Sequence, residues 1–312
     1  MTSKSPLRHL LEYILFLPIK EFLLYTPASC AYVCAKILGK VVYRVAGIRQ
    51  RVVMQNLATA FGEELSPQRL RQIARQSYEH IALTFTEFVR MERWATHKTE
   101  HMITEIEGKK YLEEAGGTEK SWIGLSAHIG NWEAMAAHFV TRGYNLMVVA
   151  KKIHNPYINK WIARVRKSRD YKVTFTKSDV REILRHLKKG GLAAFLVDQD
   201  ARHTGIFADF FNKPAATHTG PAVLSLRLNL PIVPIFDVRL RPEQHKMVIM
   251  PPIYPPKDIP REEAIRWITR EHLRAVEQIV KRYPEQYFWL HKRWKTQPQM
   301  HDTSYEGNVT HS

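Results

Sequence analysis

Hydrophobic and polar positions alternate at two different periods along this chain, and the switch between them maps the fold. Ser66-Pro67 opens a segment to Met91 in which Leu70, Ile73, Ile81, Phe85 and Phe88 recur at helical spacing. Serine as the N-cap and proline at the first helical position complete the signature of a long amphipathic helix. Beyond it, short apolar runs alternate with helical patterns. Strands are expected over 122–125, 146–150, 192–197, 232–238 and 247–250, with helices over 131–142, 180–189, 221–227 and 262–282. Gly143 and Gly190-Gly191 end two of these helices, and Ser178 is the expected cap of the helix that starts at Val180. Strand and helix in alternation predict an α/β domain: a central, mostly parallel sheet flanked by helices.

The first 50 residues follow neither pattern. Residues 10–39 are the most apolar stretch, yet Glu12, Lys20, Glu21, Lys36, Pro18 and Pro27 interrupt it, leaving a longest charge-free run from Phe22 to Ala35. A spanning helix needs about 20 apolar residues. The run therefore suits a helix lying in a membrane interface, and Lys40, Arg44, Arg49 and Arg51 supply the basic flank expected on the cytoplasmic side. The competing readings are a buried core helix and a cleaved signal peptide, the second disfavoured by Glu12. The organisation expected is a membrane-associating helical segment over 1–50, a catalytic domain over 51–295 and a flexible polar tail over 296–312.

Composition adds one strong constraint. The 312 residues carry 47 Lys+Arg against 30 Asp+Glu, a net charge of +17, so an anionic partner is expected: nucleic acid, an anionic membrane or an acidic carrier protein. The excess is local. Residues 1–60 hold eight basic and two acidic side chains, and residues 151–190 hold thirteen and three. Cys30 and Cys34, the only cysteines, give no disulfide framework and fit a reducing compartment.

The chemistry concentrates in Ser126-Ala127-His128-Ile129-Gly130-Asn131-Trp132-Glu133. A strand ends near Ala127, His128 sits in the turn, Gly130 permits a tight bend, and Asn131 caps a helix whose first turn holds Glu133. A carboxylate there is favoured as an anion and can fix the imidazole tautomer that leaves one ring nitrogen as a general base. The site would lie beyond the carboxyl ends of the strands, where open α/β sheets bind ligands. On spacing alone the bland alternative, a histidine in a surface turn, is favoured about two to one.

The HIGNWE box resembles the His-x4-Glu motif of the bacterial lipid A biosynthesis acyltransferases, the late lauroyl/myristoyl acyltransferases. The resemblance extends through Asn56-Leu57, Ala60-Phe61, Glu87, Asn155-Pro156, Asp198-Gln199-Asp200, Thr217, Gly220-Pro221-Ala222, Pro231 to Pro234 and Pro284 to Arg293. It implies a glycerolipid-acyltransferase-like fold and transfer of a fatty acyl chain from acyl carrier protein, or from coenzyme A, to a hydroxyl of a membrane lipid. The acceptor implied is a lipid A precursor, and the setting the cytoplasmic face of the inner membrane. His128 would be the base and Glu133 its orienting partner, with Arg166, in preference to Arg164, beside the developing oxyanion. Asn131, Asp198, Asp200, Thr217 and Gly220 would shape the substrate site. No cofactor or metal is expected; Asp198 and Asp200 near His203 make a poor metal set. Rival acceptors are a mannosylated phospholipid or a glycerolipid. A nucleic-acid-binding reading of residues 151–190, with Trp161 and Tyr171 stacking on bases, is the rival outside the class and is set aside.

Overall fold

The computed structural model describes residues 6–94, 96–150, 153–175 and 180–298. Ser178 and all but the first three residues of the expected tail fall outside them. Of those three, Thr296 donates a hydrogen bond to Asp200 Oδ2 and Gln297 one to Trp294 O.

The helices α1 (Pro6–Tyr25) and α2 (Ala28–Val41) are followed by α3 (Gln50–Phe61) and α4 (Pro67–Met91). Ser66 Oγ caps α4 by accepting from the Arg69 amide, as the Ser-Pro signature predicts. The α/β part then runs α5 (Thr96–Met102), β1 (Ile103–Glu107), α6 (Lys110–Glu114), β2 (Trp122–Ser126), α7 (Trp132–Thr141), β3 (Leu146–Ala150), α8 (Pro156–Lys167), β4 (Lys172–Phe175), α9 (Val180–Lys188) and β5 (Leu192–Leu196). It ends with the hairpin β6 (Ile206–Phe210) and β7 (Lys213–Thr217), then α10 (Gly220–Leu228), β8 (Ile232–Arg241), β9 (Gln244–Ile249) and α11 (Arg261–Arg282).

Among the described residues seven strands form one sheet in the order β1-β9-β8-β2-β5-β3-β4, parallel throughout except where β8 meets β9. Every residue of β2 is buried, and its side chains divide by the strand period. Ile123 and Leu125 enter the core beneath α11, with Ile268, Val276 and Ile279; Trp122 faces Met135 and Phe139 of α7. Burial on both faces makes β2 a continuous apolar run.

The N-terminal helices pack on α4. A Cβ on Gly39 of α2 would stand 2.7 Å from Glu79 Cα, so the two backbones touch where no larger residue fits. No helix among the described residues is long and apolar enough to cross a membrane.

Candidate active site

Strand β2 delivers the chain into the turn Ala127 to Asn131, and four separate elements grip that turn. Thr84 of α4 donates to Gly130 O at 2.7 Å. Asp237 of β8 accepts from the Asn131 amide at 2.6 Å. The segment after α11 lies antiparallel to the turn, bridging Ile129 to Tyr287, with Phe288 donating to His128 O at 2.9 Å. Asp198, just past β5, accepts from the His128 amide at 3.0 Å. Gly130 has φ +58°, and a Cβ there would come within 2.2 Å of Asp237 O. Glycine is required on both counts. Asn131 caps α7 through its own Oδ1, which accepts from the Ala134 amide.

His128 Nδ1 lies 2.8 Å from Asp198 Oδ1. Burial alone would raise the Asp198 carboxyl. The neighbouring imidazole and hydrogen bonds from the His128 ring and amide outweigh it, holding the group below the ordinary aspartate range. The ring leans edge-on against Trp132, with centroids 4.8 Å apart, and lies beside Phe288 at 6.0 Å. Its side chain remains 18% exposed, and Nε2 has Gln199 Nε2 at 3.4 Å. With Nδ1–H donated to the carboxylate, Nε2 carries the lone pair, the arrangement of a general base.

The expected partnership of Glu133 with His128 is corrected by this geometry: Asp198 holds the ring. Glu133 instead accepts from Arg166 Nε at 3.1 Å, Arg166 Nη2 at 2.5 Å and the Tyr171 hydroxyl at 2.7 Å. Burial opposes its ionisation, yet the guanidinium and these hydrogen bonds keep it below the ordinary glutamate range. The physical reason is the helix: Glu133 follows Trp132 onto α7 and turns toward α8, away from the strand end that carries His128. Arg164, two residues from Arg166 and about 200° round the helix, is exposed. A depression of about 430 Å³ beside this pair is lined by Ile162, Ala163, Arg166, Lys167, Tyr171 and Val173, with Asn159, Asp170 and Lys172, and does not include His128.

The remaining expected residues divide. The Asp200 amide donates to His291 Nε2 at 2.7 Å, and Thr217 Oγ1 accepts from Arg293 Nη2 at 2.6 Å, so both are tied to the C-terminal segment. Gly220, first residue of α10, is exposed and has open space where a Cβ would go. His128, Asn131 and Asp198 come together; Glu133 and Arg166 form an adjacent pair; Arg164 and Gly220 stand apart.

Beneath the turn lies a buried charge cluster that the sequence reading does not assemble. Glu87 receives Arg239 Nη2 at 2.6 Å, Arg239 Nε at 3.0 Å and Asn131 Nδ2 at 2.9 Å. His245 stands between the carboxylates, Nδ1 2.8 Å from Asp237 and Nε2 3.4 Å from Glu87. Burial pushes His245 down, but the two carboxylates win and raise it to about 9, so it is cationic at neutral pH. Two carboxyl groups, a guanidinium and an imidazolium thus pack together in a region closed to water. The sequence signal is the helical spacing of His80, Thr84 and Glu87 on α4, matched by Asp237 and Arg239 one strand period apart on β8. Among the described residues no three His, Cys, Asp or Glu side chains gather in a metal-binding arrangement.

Comparison with known proteins bears on the chemistry. Over 266 residues the chain is 26% identical to the lipid A biosynthesis lauroyltransferase of Escherichia coli K12, covering 84% of each chain. It is 24% identical to the palmitoleoyltransferase of the same organism over 258 residues, 80% of each. A Haemophilus influenzae lipid A biosynthesis acyltransferase is 25% identical over 192 residues, 60% of this chain and 58% of that one. Residues 1–296 match the sequence model of one family throughout, and the protein is a member of that family, the bacterial lipid A biosynthesis acyltransferases, enzymes that transfer acyl groups to oxygen.

Proposed function

We propose that this enzyme moves a fatty acyl chain from the thioester of acyl carrier protein to a hydroxyl of a lipid A precursor, at the cytoplasmic face of the inner membrane. His128 Nε2 takes the proton of the acceptor hydroxyl as its oxygen bonds to the thioester carbonyl carbon. The tetrahedral intermediate expels the thiolate, and His128 returns the proton to sulfur. Asp198 holds the ring tautomer and stabilises the imidazolium formed on the way. Glu133 fixes the first turn of α7, and with it Trp132 against the imidazole, through Arg166 and Tyr171. The observation that carries this reading is the Asp198-bonded His128, one ring nitrogen anchored and the side chain partly exposed.

The membrane setting is supported by α1, which exposes a row of large apolar side chains although it already has an apolar contact on its inward side. Its inward side carries His9, Glu12, Tyr13 and Lys20 together with Phe16, Leu23 and Leu24, with Lys20 bonded to Glu92 and Asn155 bonded to His9 O and Glu12. Its outward side exposes Leu7, Leu11, Ile14, Leu15, Ile19 and Phe22, with Arg8 and Glu21 also exposed. An apolar surface of this extent calls for hydrocarbon rather than water.

The test is His128→Ala in purified, membrane-reconstituted enzyme given acyl carrier protein thioester or the coenzyme A thioester. Transfer is expected to vanish while vesicle binding and thermal unfolding stay as in the wild type. Retention of wild-type turnover rejects the mechanism, and preference for the coenzyme A thioester rejects the donor. Mass spectrometry of lipids from a host lacking the gene should show lipid A short of one acyl chain.

A further inference from the structure

The basic residues carried by α8 and α9 lie on two different faces of the sheet. The step β3→α8→β4 moves outward across the sheet and β4→α9→β5 moves back, so right-handed crossovers place α8 and α9 on opposite faces. The core agrees: Trp161 and Val165 of α8 pack with Leu23, Phe88 and Ala134, while Ile183 and Leu187 of α9 pack with Ile123, Leu125 and Val149.

On α8 the outward face carries Lys160, Arg164 and Lys167 at i, i+4 and i+7, all exposed. No acidic residue occurs in the helix, and among the described residues none of the three is held by a carboxylate. That face borders α1. Tyr157 of α8 stacks on Tyr13 of α1 with ring centroids 5.6 Å apart and planes at 23°, Phe16 packs on Trp161 at 5.0 Å, and Asn155, the N-cap of α8, bonds His9 O and Glu12. An apolar stripe and a cationic stripe thus lie on adjacent, rigidly joined helices.

We infer that Lys160, Arg164 and Lys167 form a docking surface for the phosphates of an anionic phospholipid bilayer, seated when the outward face of α1 enters the same leaflet. The inference rests on the membrane reading of α1 given above. Hydrocarbon takes the leucines and isoleucines of α1, and the headgroup layer lies where a neighbouring cationic row meets it. An acidic carrier protein complements the charge of the row equally well, but nothing in such a partner accounts for an exposed leucine-rich helix beside it. The basic face of α9, on the other side of the sheet, is excluded from this surface.

Flotation of the full chain with vesicles of phosphatidylcholine alone, or of phosphatidylcholine with one third phosphatidylglycerol, tests the assignment. Each basic residue near an anionic surface is worth about fivefold in partition. The variant Lys160→Gln/Arg164→Gln/Lys167→Gln is therefore expected to bind anionic vesicles roughly a hundredfold more weakly and neutral vesicles as the wild type does. The swap Lys160→Arg/Arg164→Lys/Lys167→Arg should restore anionic binding, which loss of fold would not allow. Wild-type partition by the Gln variant overturns the assignment, and a raised KM for acyl carrier protein in that variant would hand the row to the carrier. A wild-type chain that floats with neither vesicle defeats the membrane reading itself, a separate outcome.

Discussion

His128 and Asp198 meet because they continue the register of β2 and β5. Ser126 pairs with Leu196, and two residues further along each parallel strand the imidazole and the carboxylate stand side by side at 2.8 Å. Asp198→Asn keeps the size of the side chain and removes the charge that fixes the tautomer. By analogy with hydrolytic triads, kcat should fall about 10³-fold or more. Steady-state rates at saturating donor decide it; a loss of under tenfold would mean the ring is held by something else.

Glu133 and Arg166 form a buried ion pair whose loss should register in stability. Their side chains are only 11% and 17% exposed, so Arg166→Met leaves a buried carboxylate with only neutral donors, Tyr171 and Trp132, beside it. The cost should be about 3 kcal/mol or more. Adding Glu133→Gln should recover part of that, since the orphaned charge goes with it. Urea unfolding of the three variants measures the coupling, and strictly additive losses would argue against it.

Much of this is legible in the sequence. Ser66 caps α4, Asn131 caps α7 and Gly143 follows it because caps and breakers act locally. The HIGNWE turn is likewise local chemistry. What sequence could not supply was strand order: β5 inserts between β2 and β3, and only that brings Asp198, rather than Glu133, to the ring. The strand β1 carries no clear sequence signal because its middle three residues are exposed and alternate little. The hairpin β6–β7 is hidden because Phe211 and Asn212 turn with positive φ and no glycine announces them. The charges of Glu87, Asp237, Arg239 and His245 were visible, but their convergence is a property of packing.

The pH dependence of stability should carry the mark of His245. Burial lowers its proton affinity, Asp237 and Glu87 more than compensate, and the folded group titrates at about 9 against 6.5 for an ordinary histidine. Its contribution is complete below about 6.5 and is lost as pH rises through 9, so the slope between those values is downward. Thermal unfolding of the wild type should decline over that window relative to His245→Gln. Parallel curves for the two proteins would remove the assignment.

Gly130→Ala should be among the most damaging conservative changes in the chain. The new methyl would have to displace the Asp237 carbonyl and sit at φ +58°, a cost of at least about 2 kcal/mol. The turn would move with Asp237, so activity should fall further than stability. Comparing kcat with the midpoint of thermal unfolding tests this; a variant of unchanged rate would show that the turn has slack.

The antiparallel contact of Tyr287 and Phe288 with the turn at His128 also sets a timetable. On the ribosome the histidine emerges early, long before the segment that braces it. Asn56 waits as well, for the carbonyls of Trp289 and His291. A nascent chain released before these residues are made would hold every acid and base of the site but not the strap that aligns them. Only a chain translated through this point can acquire an ordered catalytic turn, so prematurely terminated products should be inert toward the thioester.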